Sequence, residues 1–121
     1  MRNIKSRCRT FTKALSKSKK RFVAYNIVQF KYADKLEGDG TVVDIKANVR
    51  LKDFELGDYS TDFVVTKDDG SISIIETVLK KNLLRKTTIE MLDASYNYWM
   101  QKGVFDFVLV VGEEDGTITT L

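Results

Sequence analysis

Between Tyr59 and Leu79 the chain reads as two apolar strands joined by a short turn, Asp68-Asp69-Gly70. Asp-Gly between alternating hydrophobic runs is a strong hairpin signal. In Ser71–Leu79, Ile72, Ile74, Glu76 and Val78 alternate onto one face, and Ile75 and Thr77 onto the other. Apolar side chains on both faces predict a strand covered on both sides, which marks the centre of a sheet. This hairpin therefore constrains the fold more than any other segment.

The flanking elements supply the cover. Phe22, Tyr25, Val28, Tyr32, Ala33 and Leu36 recur at three- and four-residue steps and predict one helix from Arg21 to Glu37, stopped by Gly38-Asp39-Gly40. Thr41–Lys46 and Ala47–Leu51 read as two short strands, with a turn at Leu56-Gly57-Asp58. After the hairpin, Thr87 or Thr88 can cap a second helix running to Lys102. Its predicted apolar stripe is Ile89, Leu92, Tyr96 and Trp99, flanked by Met91, Tyr98 and Met100, and Gly103 ends it. Phe105–Val111 reads as a strand and Thr117–Leu121 as a final edge strand. The order predicts an α/β fold with a mixed central sheet.

The chain has 121 residues, which suits one domain. From Met1 to Arg21 the charges are all basic (Arg2, Lys5, Arg7, Arg9, Lys13, Lys17, Lys19, Lys20, Arg21), so residues 1–20 read as a basic N-terminal arm on a domain spanning 21–121. Such an arm on an acidic body predicts contact with a polyanion, most often nucleic acid; a solvated leader is the plainer alternative. Arg7, Arg9, Lys19, Lys20 and Arg21 are its candidate phosphate contacts. Lys80, Lys81, Arg85 and Lys86 form a second basic cluster before the second helix, where phosphate would meet lysines and a helix N-terminus together. No apolar run approaches the roughly 18 residues of a membrane helix, and no signal-peptide h-region follows the basic start, so a cytoplasmic location in a bacterial host is expected.

Two further compositional facts narrow the chemistry. The chain has no histidine, which excludes histidine triads, histidine bases and zinc sites with histidine ligands. Its one cysteine, Cys8, has no partner for an intrachain disulfide. Catalysis would have to use carboxylates, lysine, hydroxyls or a metal held by oxygen.

Asp62 and Glu76 fit that description. They sit on the two strands of the hairpin, each beside apolar neighbours. A mid-strand acid is costly to desolvate unless it is paired or binds a cation. Two on neighbouring strands can share a divalent metal such as Mg²⁺, which then activates water and stabilises charge on a phosphate. Alternatively, each acid sits at a strand end and pairs with a lysine.

Tyr59-Ser60-Thr61-Asp62-Phe63-Val64-Val65, a hairpin, and Ser73-Ile74-Ile75-Glu76-Thr77-Val78 resemble the core of the TnsA-like branch of PD-(D/E)XK nucleases, where a Tyr-x-Pro-Asp-Phe strand precedes a Glu/Gln-x-Lys strand. Asn26-Ile27-Val28-Gln29 stands where that branch has a helical Ser-x-x-Glu pattern, and Leu36-Glu37-Gly38-Asp39 and Val42-Val43 follow at suitable spacing. Leu92 to Trp99 and Gly103 to Phe107 resemble the helix and strand that close the core. The resemblance spans Tyr25 to Val111. It implies a restriction-endonuclease-like sheet flanked by helices, with Asp62, Glu76 and Gln29 as ligands of Mg²⁺ or Mn²⁺ in a DNA endonuclease of a phage or mobile element.

Two positions depart from the pattern. Val78 stands where the family has a lysine that positions the attacking water and stabilises developing charge. Gln29 stands where the helix acid belongs. Lys80 shares face parity with Glu76 if the strand continues, which makes it the candidate replacement, with Lys81 one step beyond and Lys31 and Glu37 reaching in from the helix. The resemblance thus implies either a metal-dependent endonuclease, working as a homodimer to cut a duplex, or a catalytically inactive module on the same fold. The inactive module would engage DNA or a protein partner, such as a transposase, packaging or host-defence component.

Overall fold

The computed structural model describes residues 10–121. The fold is mixed α/β. A five-stranded sheet has the order β3-β4-β5-β6-β7, and a separate two-stranded ribbon pairs β1 with β2. The elements are β1 (Phe11–Lys13), β2 (Phe22–Ala24), α1 (Ile27–Glu37), β3 (Val42–Arg50), β4 (Ser60–Lys67), β5 (Ile72–Leu79), α2 (Lys86–Gln101), β6 (Asp106–Gly112) and β7 (Ile118–Thr120). β5 lies antiparallel to β4 and parallel to β6, which makes the sheet mixed. Among the described residues no helix is long and apolar enough to cross a membrane.

β5 occupies the middle of the sheet, and Ser73 to Val78 are all buried. Ile75 belongs to the core that Phe63, Val65 and Val110 form with Val28, Ala33 and Leu36 of α1. Alternation along β5 turns Glu76 away from Ile75, and there it meets Ser95 of α2. A second, smaller cluster joins α2 to the β3–β4 connection through Leu51, Phe54, Tyr59 and Ala94. Gly112 of β6 lies close against α1 and β7: a Cβ there would stand 2.7 Å from Val28 Cγ2 and 3.0 Å from Ile118 Cγ2. Gly112→Ala is therefore expected to cost about 1–3 kcal/mol by overpacking, measured by urea unfolding.

Four local features differ from the sequence expectation. The first helix begins at Ile27, not Arg21, because Asn26 caps it: its side chain accepts from the Gln29 N–H at 2.8 Å. Phe22 and Ala24 still face the core, but from strand β2. The two short strands expected between Thr41 and Leu51 are one, β3, interrupted at Asn48 by a left-handed backbone (φ 55°), which asparagine tolerates better than most residues. Third, Phe11 to Ser18 belong to the folded unit: Leu15 is buried, and the Lys17 carbonyl accepts the Ile45 N–H of edge strand β3 at 2.9 Å.

The fourth difference concerns α2, which is turned relative to the predicted stripe. Its buried residues are Thr88, Ala94 and Ser95, whereas Ile89 and Tyr96 are exposed. Small side chains let the helix approach the sheet, and Ser95 gains an acceptor there; hydrophobic periodicity does not register either effect.

Acidic side chains of α1 hold the N-terminal segment. Glu37 accepts from Ser16 N–H at 2.8 Å, Ser16 Oγ–H at 2.9 Å and Lys17 N–H at 3.0 Å, and Lys13 Nζ reaches Asp34 at 2.6 Å. Desolvation works to raise the Glu37 carboxyl, but the hydrogen bonds from Ser16 and Lys17 and the nearby Lys17 ammonium outweigh it and hold the group below the usual carboxylate range. A depressed folded-state pKa gives stability that is present above the unfolded value and lost as pH falls through the folded one. Acid titration below the ordinary glutamate range of about 4.3 is expected to loosen this segment, and Glu37→Gln to remove that part of the pH dependence. Hydrogen exchange at the Ser16 and Lys17 amides across the acid range measures both.

Candidate functional site

The β4·β5 ladder runs from Thr66↔Ile72 to Phe63↔Ile75. Asp62 and Glu76 follow immediately, where the ladder stops. Each carboxylate takes a backbone N–H of the opposite strand: Glu76 Oε1 accepts from Asp62 N–H at 3.2 Å, and Asp62 Oδ2 accepts from Thr77 N–H at 2.6 Å. Carboxylates thus replace carbonyls as the acceptors between β4 and β5 at this point. Both acids have zero exposure.

Hydroxyls complete the arrangement. Asp62 Oδ2 also accepts from Thr77 Oγ–H at 2.6 Å. Glu76 Oε2 accepts from Thr61 Oγ–H at 3.0 Å and from Ser95 Oγ–H at 2.7 Å. The Trp99 indole N–H donates to Thr61 Oγ at 2.9 Å, which leaves the Thr61 hydroxyl hydrogen for Glu76. Charge-assisted hydrogen bonds of this kind are stronger than neutral ones, and in a buried site each has a large effect.

Gln29 would bind a cation through its carbonyl oxygen. That oxygen accepts the Tyr25 N–H at 2.9 Å, while its amide nitrogen points to Asn48 Oδ1 at 2.9 Å and to the Asp62 carbonyl at 3.3 Å. Gln29 therefore turns a donor, not a ligand, toward Asp62. Both Glu76 oxygens and Asp62 Oδ2 are engaged by protein donors. Among the described residues no group of three or more acidic or cysteine side chains is placed to hold a metal. Mg²⁺ takes oxygen ligands in near-octahedral geometry and usually keeps several waters. In this geometry the Gln29 oxygen, both Glu76 oxygens and Asp62 Oδ2 are turned to protein donors rather than to a shared cation position.

The candidate lysine is not brought to the acids either. β5 ends at Leu79, and Lys80 opens a 3₁₀ turn, Lys80–Asn82, so the face parity with Glu76 lapses. The exposed Lys80 ammonium lies 3.8 Å from Glu113, and that of Lys81 lies 2.6 Å from Glu114. Lys86 pairs with Glu90 one helical turn on, at 3.9 Å. The second basic cluster is thus interleaved with acids from the β6–β7 turn and α2. Arg85, the N-cap of α2, is exposed. Glu37 is engaged by Ser16 and Lys17, as described above. Val78 is buried at the lysine position.

The first basic cluster is arranged differently. Lys19, Lys20 and Arg21 lie on one side of a groove of about 510 Å³, and edge strand β3 contributes Lys46 and Arg50 on the other. All five are exposed. Half-buried Val23, Ala47 and Val49 line it with apolar surface, with Phe22 and Ile45 buried behind them, Tyr25 adds a half-buried aromatic ring, and Asp44 is the one acid among its lining residues. Arg50 also pairs with Asp58, a contact between two exposed groups that contributes little to stability. Lys46 and Arg50 were not singled out from the sequence, where they are ordinary outward residues of a strand. Arg7 and Arg9, also expected to meet phosphate, lie outside the described residues, as does Cys8. Compared with protein-family models and with curated proteins, the chain matches none.

Proposed function

We propose that this chain is a DNA-binding module on a restriction-endonuclease-like sheet that does not itself hydrolyse DNA. The observation that carries the reading is the groove with five exposed cations on its two sides and a single acid among its lining residues. A polyanion is the ligand this charge pattern favours. The closed carboxylate pair argues against hydrolysis. Both Glu76 oxygens, Asp62 Oδ2 and the Gln29 oxygen accept from protein donors, and Val78 stands where the resembled nucleases have their lysine.

The nuclease-like element of the reading is supported by the hairpin itself. It carries an acid on each strand, its second strand runs parallel to β6, and α1 packs on one face of it. A module of this kind in a phage or mobile element would position DNA for a partner that supplies the chemistry, such as a transposase or packaging protein.

The test combines binding and cleavage. The chain is expected to retard DNA in a gel without nicking supercoiled plasmid in Mg²⁺ or Mn²⁺, and calorimetry with either ion is expected to show no uptake. Nicking by the wild type that disappears in Asp62→Asn would instead establish the metal-dependent endonuclease.

A further inference from the structure

The groove between the β2 segment and edge strand β3 has two kinds of surface. Its lips are cationic: Lys19, Lys20 and Arg21 on one side, Lys46 and Arg50 on the other. Its lining is otherwise mostly apolar, with Val23, Ala47 and Val49 half-buried and the Tyr25 ring half-buried beside them. A duplex backbone offers phosphates but keeps its base faces stacked inside, so it has no use for the apolar part. A single strand offers both. Its phosphates suit cations, and its unstacked bases suit aromatic and apolar surface. The volume, about 510 Å³, lies within the roughly 300–1,000 Å³ range of pockets that enclose small ligands.

We propose that this groove binds single-stranded nucleic acid, with at least one base against Tyr25 and the β3 wall and the flanking phosphates on Lys19, Lys20, Arg21, Lys46 and Arg50. The proposal rests on the nucleic-acid reading above and specifies the form of the ligand. Tyr25 suits the role because its backbone is fixed independently of its ring: its N–H donates to Gln29 Oε1 at 2.9 Å, directly before the Asn26 cap of α1. The backbone that carries the ring is thus tied between β2 and the start of α1, which lowers the ordering cost of binding.

The experiment is fluorescence anisotropy with three labelled probes of equal length: an oligothymidylate, the same strand as a duplex, and an abasic deoxyribose-phosphate strand. The oligothymidylate is expected to bind roughly tenfold or more tightly than either of the others, given the stacking contribution of a base on an aromatic ring. Tyr25→Ala is expected to remove most of that preference and Tyr25→Phe to keep it, with both variants checked for an unchanged urea midpoint. If Tyr25→Ala fails to fold, the comparison of wild type on the three probes decides alone. Equal affinity for all three probes would overturn the single-strand assignment while leaving a phosphate-binding module in place. No binding to any probe would remove both readings.

Discussion

Glu76→Ala is expected to destabilise the chain by about 3–5 kcal/mol, among the largest losses a single substitution here can cause. Among the described residues three donors lose their acceptor at once: the Asp62 N–H, the Thr61 hydroxyl and the Ser95 hydroxyl. All sit where water does not reach, since Thr61, Asp62 and Ser95 have zero exposure. Asp62→Ala is expected to behave similarly, because Thr77 then loses the acceptor of both its N–H and its hydroxyl. Glu76→Gln distinguishes this account from a simple loss of volume. A glutamine supplies one acceptor oxygen and one NH₂ group, but both Glu76 oxygens face donors, so one side becomes a donor–donor clash. Glu76→Gln should therefore lose a substantial part of what Glu76→Ala loses, although it is almost isosteric. Urea unfolding of the three variants makes the measurement. Carboxylates held in place for a metal would give the opposite result, since removing one of two mutually repelling acids relieves the metal-free protein. Variants as stable as the wild type would show that these acids are not part of the sheet's own hydrogen bonding.

The double substitution Lys20→Glu, Lys46→Glu is expected to lower DNA affinity on the order of a hundredfold, and the same reversal at Lys81 and Lys86 to lower it far less. The two pairs have the same formal charge but different surroundings. Lys20 and Lys46 are exposed on opposite sides of the groove. Lys81 and Lys86 already face Glu114 and Glu90. A phosphate approaching the second pair meets carboxylates as well as ammonium groups. Each phosphate contact releases condensed counterions, so two lost contacts should flatten the dependence of log K on log salt by about 1.4 for a single strand or 1.8 for a duplex. Affinity measured across a salt series separates this effect from misfolding, because a misfolded fraction lowers amplitude without changing slope. Equal losses from the two double variants would place the DNA on both basic clusters and remove the groove's special role.

How much of this was legible in the sequence depended on the kind of interaction. The central hairpin was legible because two strands with apolar residues on both faces and an Asp-Gly turn between them leave few alternatives. The position of β5 at the sheet centre followed from Ile74, Ile75 and Val78 alone. The acids were legible as a pair because Asp62 and Glu76 interrupt those apolar strands. Their partners were not. Thr61, Thr77, Ser95 and Trp99 donate directly to the carboxylates or orient a donor, yet as single letters they look like any strand or helix residue. The stripe predicted for α2 failed for the same reason: buried Thr88 and Ser95 count as polar in any periodicity, although hydrogen bonding or close packing makes them interior.

The sequence by itself determined the α/β class, the hairpin at its centre, the two interrupting acids, the absence of histidine chemistry and the uneven charge. These are properties of local pattern and composition, carried by residues a few positions apart. Only the tertiary structure decided whether Gln29 presents an oxygen or an amide to Asp62, and that Lys80 leaves the sheet before it can reach Glu76. It likewise set Lys20 across a groove from Lys46, and Lys81 against Glu114. Each of these depends on the direction of a side chain relative to one from a distant part of the chain. Hydrogen bonds and charge pairs act over a few ångströms and at particular angles, so their meaning is fixed only when packing has brought those distant groups together.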